Sequence, residues 1–322
     1  MTKNILVVGE HLDSEITTTT VELIGQSTRL AEGGSVSVAL LGSGAASVAQ
    51  QAFEAGANKV AMNDDAGYSE YNSDQWVAAI ESILDGIDVV LIAQSIIGRD
   101  LAPRLAARQA TAAAMDCVDV RSDNGEIKVT RACYGGNALA DYSFVTNPVI
   151  ATVRAKAFEA LAPQTGASGE TIDLPTPSES RTTIEGREIA EAEGLAITDA
   201  PIVISGGRGL GGPEGFKDVE NLAAAFGSSR AAVGASRAAC DLGWYPVSQQ
   251  VGLTGKVVTP DLYVAIAISG ASQHMAGCSG SKMIIAINKD PEANIFQNAK
   301  YGIVGDYKVV LPALIEAVKA QS

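Results

Sequence analysis

The chain has 322 residues, 47% of them hydrophobic and 19% charged, with 33 glycines and only 5% aromatics. That length argues for two domains, and that apolar share excludes a disordered chain. The net charge of −14 argues against unaided binding to nucleic acid or to an anionic membrane.

The opening MTKNILVVGE runs straight into a strand-like Ile5–Val8, without the charged and apolar regions of a leader, so a cytoplasmic protein is expected. No run approaches the roughly 18 apolar residues of a membrane span. Further strands are expected at Val36–Leu41, Lys59–Met62 and Val89–Ala93, with helices at Ala45–Ala55, Gln75–Leu84 and Leu101–Ala110 between them. Such alternation implies parallel strands joined by right-handed crossovers. Ile127–Cys133 and Ala138–Val145, split by Gly135-Gly136-Asn137, read as an antiparallel hairpin, and Pro148–Arg154 as one more strand. Residues 162–187 have the Pro, Gly, Ser and Thr content of a linker. A boundary is therefore expected near residue 190, giving domains 1–190 and 191–322.

The second part again reads α/β, with strands Ile202–Ser205, Leu262–Ile268 and Met283–Ile287 and helices near Gly215–Phe226, Ser236–Leu242 and Pro312–Ala320. The expected fold class is α/β in two domains, each a mostly parallel sheet flanked by helices. Charge is unevenly shared: residues 1–190 carry a net −12 and residues 191–322 only −2, so the second domain is the better host for an anionic ligand. Cys117, Cys133, Cys240 and Cys278 are widely spaced, and with two histidines they form no metal-ligand pattern; reduced thiols are expected.

Sixteen of the 33 glycines fall in residues 201–322, at expected strand ends. Three turns stand out: Ser205-Gly206-Gly207-Arg208-Gly209, Gly234-Ala235-Ser236-Arg237 and Ser269-Gly270-Ala271-Ser272-Gln273-His274. Strand C-termini of a parallel sheet open on the edge where ligands bind, and glycine there admits a phosphate close to the backbone. Any one such turn is equally an ordinary tight turn; three together point to a dinucleotide. None is a GxGxxG followed by an acidic residue about 20 positions on, so a standard NAD site is not supported.

These blocks, with Gln250-Val251-Gly252-Leu253-Thr254-Gly255-Lys256, Ala286-Ile287-Asn288-Lys289-Asp290-Pro291-Glu292-Ala293 and Tyr301-Gly302-Ile303-Val304-Gly305-Asp306, resemble the C-terminal domain of the electron transfer flavoprotein alpha subunit. Gly98-Arg99-Asp100-Leu101-Ala102-Pro103-Arg104 and Gly136-Asn137-Ala138 extend a more diffuse likeness to the N-terminal part. The resemblance implies a Rossmann-like FAD-binding C-terminal domain and a heterodimer with a beta subunit. It also implies that electrons come from flavin dehydrogenases, such as acyl-CoA dehydrogenases, and pass to a membrane quinone oxidoreductase. The chain would then be a carrier, with no turnover of its own. A subunit of an NADH-oxidising, electron-bifurcating complex is the alternative.

By resemblance, Arg237 is a permanent cation against the flavin ring. At about 4 Å and an effective dielectric near 20, a unit charge pair is worth roughly 4 kcal/mol before desolvation. Taken alone, Arg237 would read as a helix-start residue in a surface ion pair. His274 is expected to bond the C2 carbonyl through a ring or backbone N–H, its charge coupled to reduction. Thr254 resembles the donor to flavin N5. Leu253 stands where many family members have Gln; it removes a side-chain contact while the neighbouring backbone donors are expected to stay available. Ser236, Ser269 and the N–H groups of Gly270 and Ala271 suit the pyrophosphate. Asn288 and Asp306 suit the adenosine end, and Arg208 a phosphate or the flavin edge. Val251, Gly252, Ser272, Gln273 and Tyr307 fall within the same cofactor-contacting blocks. Arg99, Asp100 and Arg104 read as a charged helix start with a structural or interface role.

Overall fold

The computed structural model describes residues 2–12, 14–136, 138–186 and 195–321. Contacts divide the chain into two units, residues 1–133 with 139–187 and residues 134–138 with 188–322. The boundary expected near residue 190 lies among residues 187–194, outside the described residues.

The first unit is built on a nine-stranded sheet. In chain order its parts are β1 (Ile5–Val8), a short antiparallel pair β2 (His11–Leu12) and β3 (Glu15–Ile16) outside the main sheet, α1 (Thr18–Leu30), β4 (Val36–Leu41), α2 (Ala45–Glu54) and β5 (Lys59–Asn63). There follow α3 (Ser73–Glu81), β6 (Val89–Ala93), α4 (Ile96–Arg108), β7 (Ala113–Asp123), β8 (Glu126–Cys133), β9 (Ala138–Ser143), β10 (Val149–Val153) and β11 (Glu170–Asp173). The sheet order is β11-β5-β4-β1-β6-β10-β7-β8-β9. Its central strands are buried on both faces, which is why they read as unbroken apolar runs. Leu23, Ile24, Val48 and Phe53 from α1 and α2 cover one face; Trp76, Ile80, Leu101 and Leu105 from α3 and α4 cover the other.

Three features depart from expectation. Helix α1 forms although Thr18-Thr19-Thr20-Val21 is β-branched; Thr17 caps it by accepting from Thr20 N–H, and burial of Leu23, Ile24 and Leu30 outweighs the poor propensity. An antiparallel hairpin not expected from the sequence, β7–β8, turns at Asn124 and Gly125 with φ 53° and 84° and precedes the expected pairing of 127–133 with 138–145. Strand β9 does lie beside β8 in the sheet, while Asn137 of the expected turn lies outside the described residues. Helix α4 starts five residues before the expected Leu101: Ser95 Oγ accepts from Gly98 N–H at 3.0 Å, and a Cβ on Gly98 would stand 1.9 Å from the Ala93 carbonyl oxygen. Along its exposed side, Arg104 reaches Asp74 at 3.0 Å and Asp100 at 3.4 Å, and Tyr71 donates to Asp100 at 2.9 Å, tying α4 to α3 and its preceding loop.

The second unit contains β12 (Ile202–Gly206), α5 (Phe216–Phe226), β13 (Ala231–Ser236), α6 (Arg237–Asp241), β14 (Gln250–Val251), β15 (Leu262–Ile266), α7 (Ser272–Met275), β16 (Met283–Asn288), β17 (Tyr301–Val304) and α8 (Tyr307–Lys319). Its six strands are all parallel in the order β14-β13-β12-β15-β16-β17. The chain thus starts in the middle, winds outward one way to β14, then returns to β15 on the other side of β12. Phe216, Leu222 and Leu311 pack one face of this sheet; Met275, Cys278 and Ile295 pack the other. Helix α8 begins at Tyr307, with Asp306 as its cap at 2.9 Å from Lys308 N, and Pro312, the expected start, sits inside it.

Candidate functional site

In an open parallel sheet the order reverses where two neighbouring strands send their connections in opposite directions, and the crevice beyond their carboxyl ends receives ligands. Here those strands are β12 and β15. A cavity of about 600 Å³ opens there, within the range of small-molecule and cofactor sites. Its wall draws on the turn after β12 (Arg208, Gly209), the β13–α6 junction (Ser236, Arg237), the loop after β14 (Val251 to Thr254), the turn after β15 (Ala267 to Ser269, Ala271) and the end of β16 (Asn288).

The backbone at the switch point is tightly drawn. Ala267 adopts φ 56°, a left-handed conformation costly for alanine, and its carbonyl accepts from Gly209 N–H at 3.2 Å. A Cβ on Gly207 would come within 2.2 Å of that carbonyl oxygen, so only glycine fits. The loop after β14 is likewise closed on itself: Lys256 N–H donates to Gln250 O at 2.7 Å and Gly252 N–H to Lys256 O at 3.1 Å. Leu253 N–H donates across to Gln273 O at 2.7 Å. Of the backbone donors expected to remain free around Leu253, those of Gly252 and Leu253 itself are therefore committed within the protein, whereas among the described residues the Thr254 N–H meets no backbone acceptor; Leu253 presents an exposed apolar side chain to the cavity.

His274 is buried and its hydrogen bonding is nearly exhausted. Its backbone N–H goes to Ala271 O at 2.9 Å and its Nε2 pairs with Tyr263 Oη at 2.9 Å; Nδ1 is buried and meets no acceptor in good hydrogen-bond geometry, although the Val251 backbone lies close enough to act on the ring. Of the two donors expected to face a ligand, only the ring remains. Burial lowers the ring's pKa to about 4, with the Val251 backbone only partly opposing it, so the ring is neutral at physiological pH. This corrects the expectation of a charge that responds near neutrality. The permanent cations at the cavity are Arg208 and Arg237. Arg237 is mostly exposed and sits 3.4 Å from Asp241, one helical turn on, so the surface ion pair and the cavity position hold together.

Ser236 Oγ, at the same wall, is a second buried polar atom without a well-placed partner. Among the described residues the N–H groups of Ser269, Gly270 and Ala271 meet no backbone acceptor. Asn288 is partly spent: its amide donates to Ile268 O at 2.9 Å and its oxygen accepts from Asp290 N–H at 3.0 Å.

Four expected residues lie off the main wall. Gly270 turns beneath it at φ 79°, packed where a Cβ would meet Ile295 N at 2.2 Å, and Ser272 Oγ donates to Gln273 Oε1 on the exposed side. Asp306 and Tyr307 line a neighbouring recess of about 250 Å³ that shares Gly209, Ala267 and Asn288 with the main cavity; Tyr307 Oη also donates to Leu210 O. Two residues were not assigned a role from sequence: Gln250, which donates to Thr254 Oγ1 at 3.0 Å, and Tyr263, which backs His274. The four-residue step from Gln250 to Thr254 within one glycine-bounded loop is the signal that would have found the first.

Comparison with known proteins agrees with this geometry. Residues 5–179 match the electron transfer flavoprotein domain, and residues 196–279 match the electron transfer flavoprotein FAD-binding domain. The chain is 40% identical to the electron transfer flavoprotein subunit alpha of Bacillus subtilis, over 99% of this chain and 98% of that one. It is 39% identical to the same subunit from Megasphaera elsdenii, over 99% and 97%, and 37% identical to Protein FixB of Clostridium saccharobutylicum, over 98% and 96%. Among the described residues no helix is long and apolar enough to cross a membrane. With both family domains matched in order and relatives aligned almost end to end, the chain belongs to the electron transfer flavoprotein alpha-subunit family, and its second unit is an FAD-binding domain.

Proposed function

We propose that the chain is the FAD-carrying half of a heterodimeric electron carrier. Paired with a beta subunit through its N-terminal domain (residues 1–190), it accepts electrons from flavin dehydrogenases, acyl-CoA dehydrogenases among them, and delivers them to a quinone oxidoreductase. It performs no substrate turnover of its own. The observation that carries this reading is the cavity at the β12/β15 switch point, with two guanidinium groups, two buried polar atoms without a well-placed partner and a turn of unpaired N–H groups on its wall. That donor set fits a large ligand with a diphosphate and a polar ring edge. Bound FAD supplies reversible one- and two-electron chemistry.

The chain's own residues then divide the work. Ser236, Ser269 and the turn N–H groups of Gly270 and Ala271 hold the diphosphate, with Arg208 neutralising charge nearby. Arg237 keeps a fixed positive charge at the ring, and Thr254 donates to N5. His274 offers Nδ1 toward the C2 carbonyl as a neutral group. Val251, Gly252, Leu253 and Gln273 shape the wall, and Asn288, with Asp306 and Tyr307 in the adjoining recess, receives the adenosine end. Co-expression with the beta subunit tests this: a yellow complex, reduced by an acyl-CoA dehydrogenase with its substrate and not by NADH alone, is expected. A complex without flavin absorbance refutes the reading, and rapid reduction by NADH alone would assign the chain to a bifurcating complex instead.

A further inference from the structure

We propose that Gln250 sets the polarity of the Thr254 hydroxyl, holding it as a hydrogen-bond donor toward the cavity. A hydroxyl has one hydrogen to give and lone pairs to receive with. Gln250 Nε2–H donates to Thr254 Oγ1 at 3.0 Å, so the threonine's own hydrogen is directed elsewhere. Among the described residues it meets no protein acceptor, and Thr254 lies on the cavity wall. Gln250 is well placed to impose this. It is 5% exposed, registered against Ala235 in the sheet, and anchored through its carbonyl to Lys256 N–H at 2.7 Å. Its side chain runs beneath its own loop in space that Gly255 leaves open, where a Cβ would come within 2.9 Å of Gln250 Cγ and 2.3 Å of its carbonyl oxygen.

The consequence rests on the reading above, in which Thr254 faces flavin N5. A donor-only hydroxyl favours a bare N5 lone pair and opposes an N5–H, which would set donor against donor. Gln250 is thus a positioning residue that keeps the proton off N5 at the one-electron level.

The test uses the FAD-loaded complex with the beta subunit. Wild type, Gln250→Glu and Gln250→Leu are made with Thr254 intact and with Thr254→Val. Each is taken to one-electron reduction across a pH range, and its colour is read: red for unprotonated N5, blue for protonated. FAD affinity is measured separately by fluorescence. Wild type should be red. Gln250→Glu, above the pH at which its carboxyl ionises, accepts from Thr254 and reverses the hydroxyl, raising N5 proton affinity about tenfold; Gln250→Leu frees the hydroxyl and raises it a few-fold. With Thr254→Val neither substitution at 250 should move the profile further. A blue wild type, an unchanged profile in Gln250→Glu, or full-sized shifts that persist without the hydroxyl would each overturn the proposal. Should the Gln250 variants lose FAD, Thr254→Ser against Thr254→Val decides it: serine should stay red and valine turn toward blue, and identical profiles overturn it. A wild-type complex that binds no FAD refutes the cofactor reading itself, and the proposal with it.

Discussion

Replacing His274 by Gln isolates a proton that the folded domain refuses. The imidazole ordinarily titrates at 6.5, and burial brings it to about 4. Between those values the unfolded chain binds a proton that the folded chain does not, so stability is full above about pH 6.5, falls as the pH drops through the interval, and levels off below about pH 4. At 1.36 kcal/mol per pH unit, the interval corresponds to about 3 kcal/mol. Wild type should therefore lose about 3 kcal/mol more than His274→Gln between pH 7 and pH 4, in denaturant unfolding of the second domain. The sequence helps, because the chain has two histidines in all. With ring carbons labelled by ¹³C, the flavin-free chain gives two histidine signals, and the one absent from His274→Gln should stay in its neutral position down to about pH 4. A midpoint near 6.5 for that signal, or parallel pH–stability curves for the two proteins, refutes the claim that the ring is buried and neutral.

Other perturbations reach the same cavity by different routes. Arg237→Ala removes a mostly exposed cation, so the potential for the first electron should fall by about 60 mV, a factor of ten, in a dithionite titration of the loaded complex; an unchanged potential would place the guanidinium away from the ring. Gly277→Ala puts a Cβ 2.3 Å from Gly252 N and 2.5 Å from its Cα, a backbone clash that should cost about 1–3 kcal/mol and weaken FAD binding roughly tenfold. A melting temperature and FAD affinity equal to wild type would show that the loop yields freely.

Much of the fold could be read from periodicity because parallel strands buried on both faces, such as Val89–Ala93 and Leu262–Ile266, leave unbroken apolar runs. The elements that escaped notice are those whose residues answer to something other than burial. Strand β7 carries Asp116, Asp119 and Arg121, held by ion pairs to Arg154 and Asp141 as well as to each other, and so shows no apolar run. Strand β17 is a sheet edge with all four residues exposed. Pro312 resembles a helix start because proline suits a first turn, yet Asp306 caps the helix a turn and a half earlier. At the site, glycine-rich blocks located the cavity, but hydrogen-bond direction was hidden. Whether His274 is neutral, or whether the Leu253 N–H is already engaged, depends on Tyr263, burial and Gln273, which only the folded chain assembles.

The Leu253 N–H to Gln273 carbonyl bond, together with the packing of Gly277 on Gly252, fastens the loop after β14 to the turn after β15. Two stretches separated by some twenty residues are thereby made into a single mechanical part. Variation in either stretch should be epistatic with the other, so that random libraries confined to 250–256 would be impoverished unless 273–277 were allowed to change alongside. For an engineer wishing to retune the ring's surroundings, the unit of exchange is this braced pair, transplanted whole.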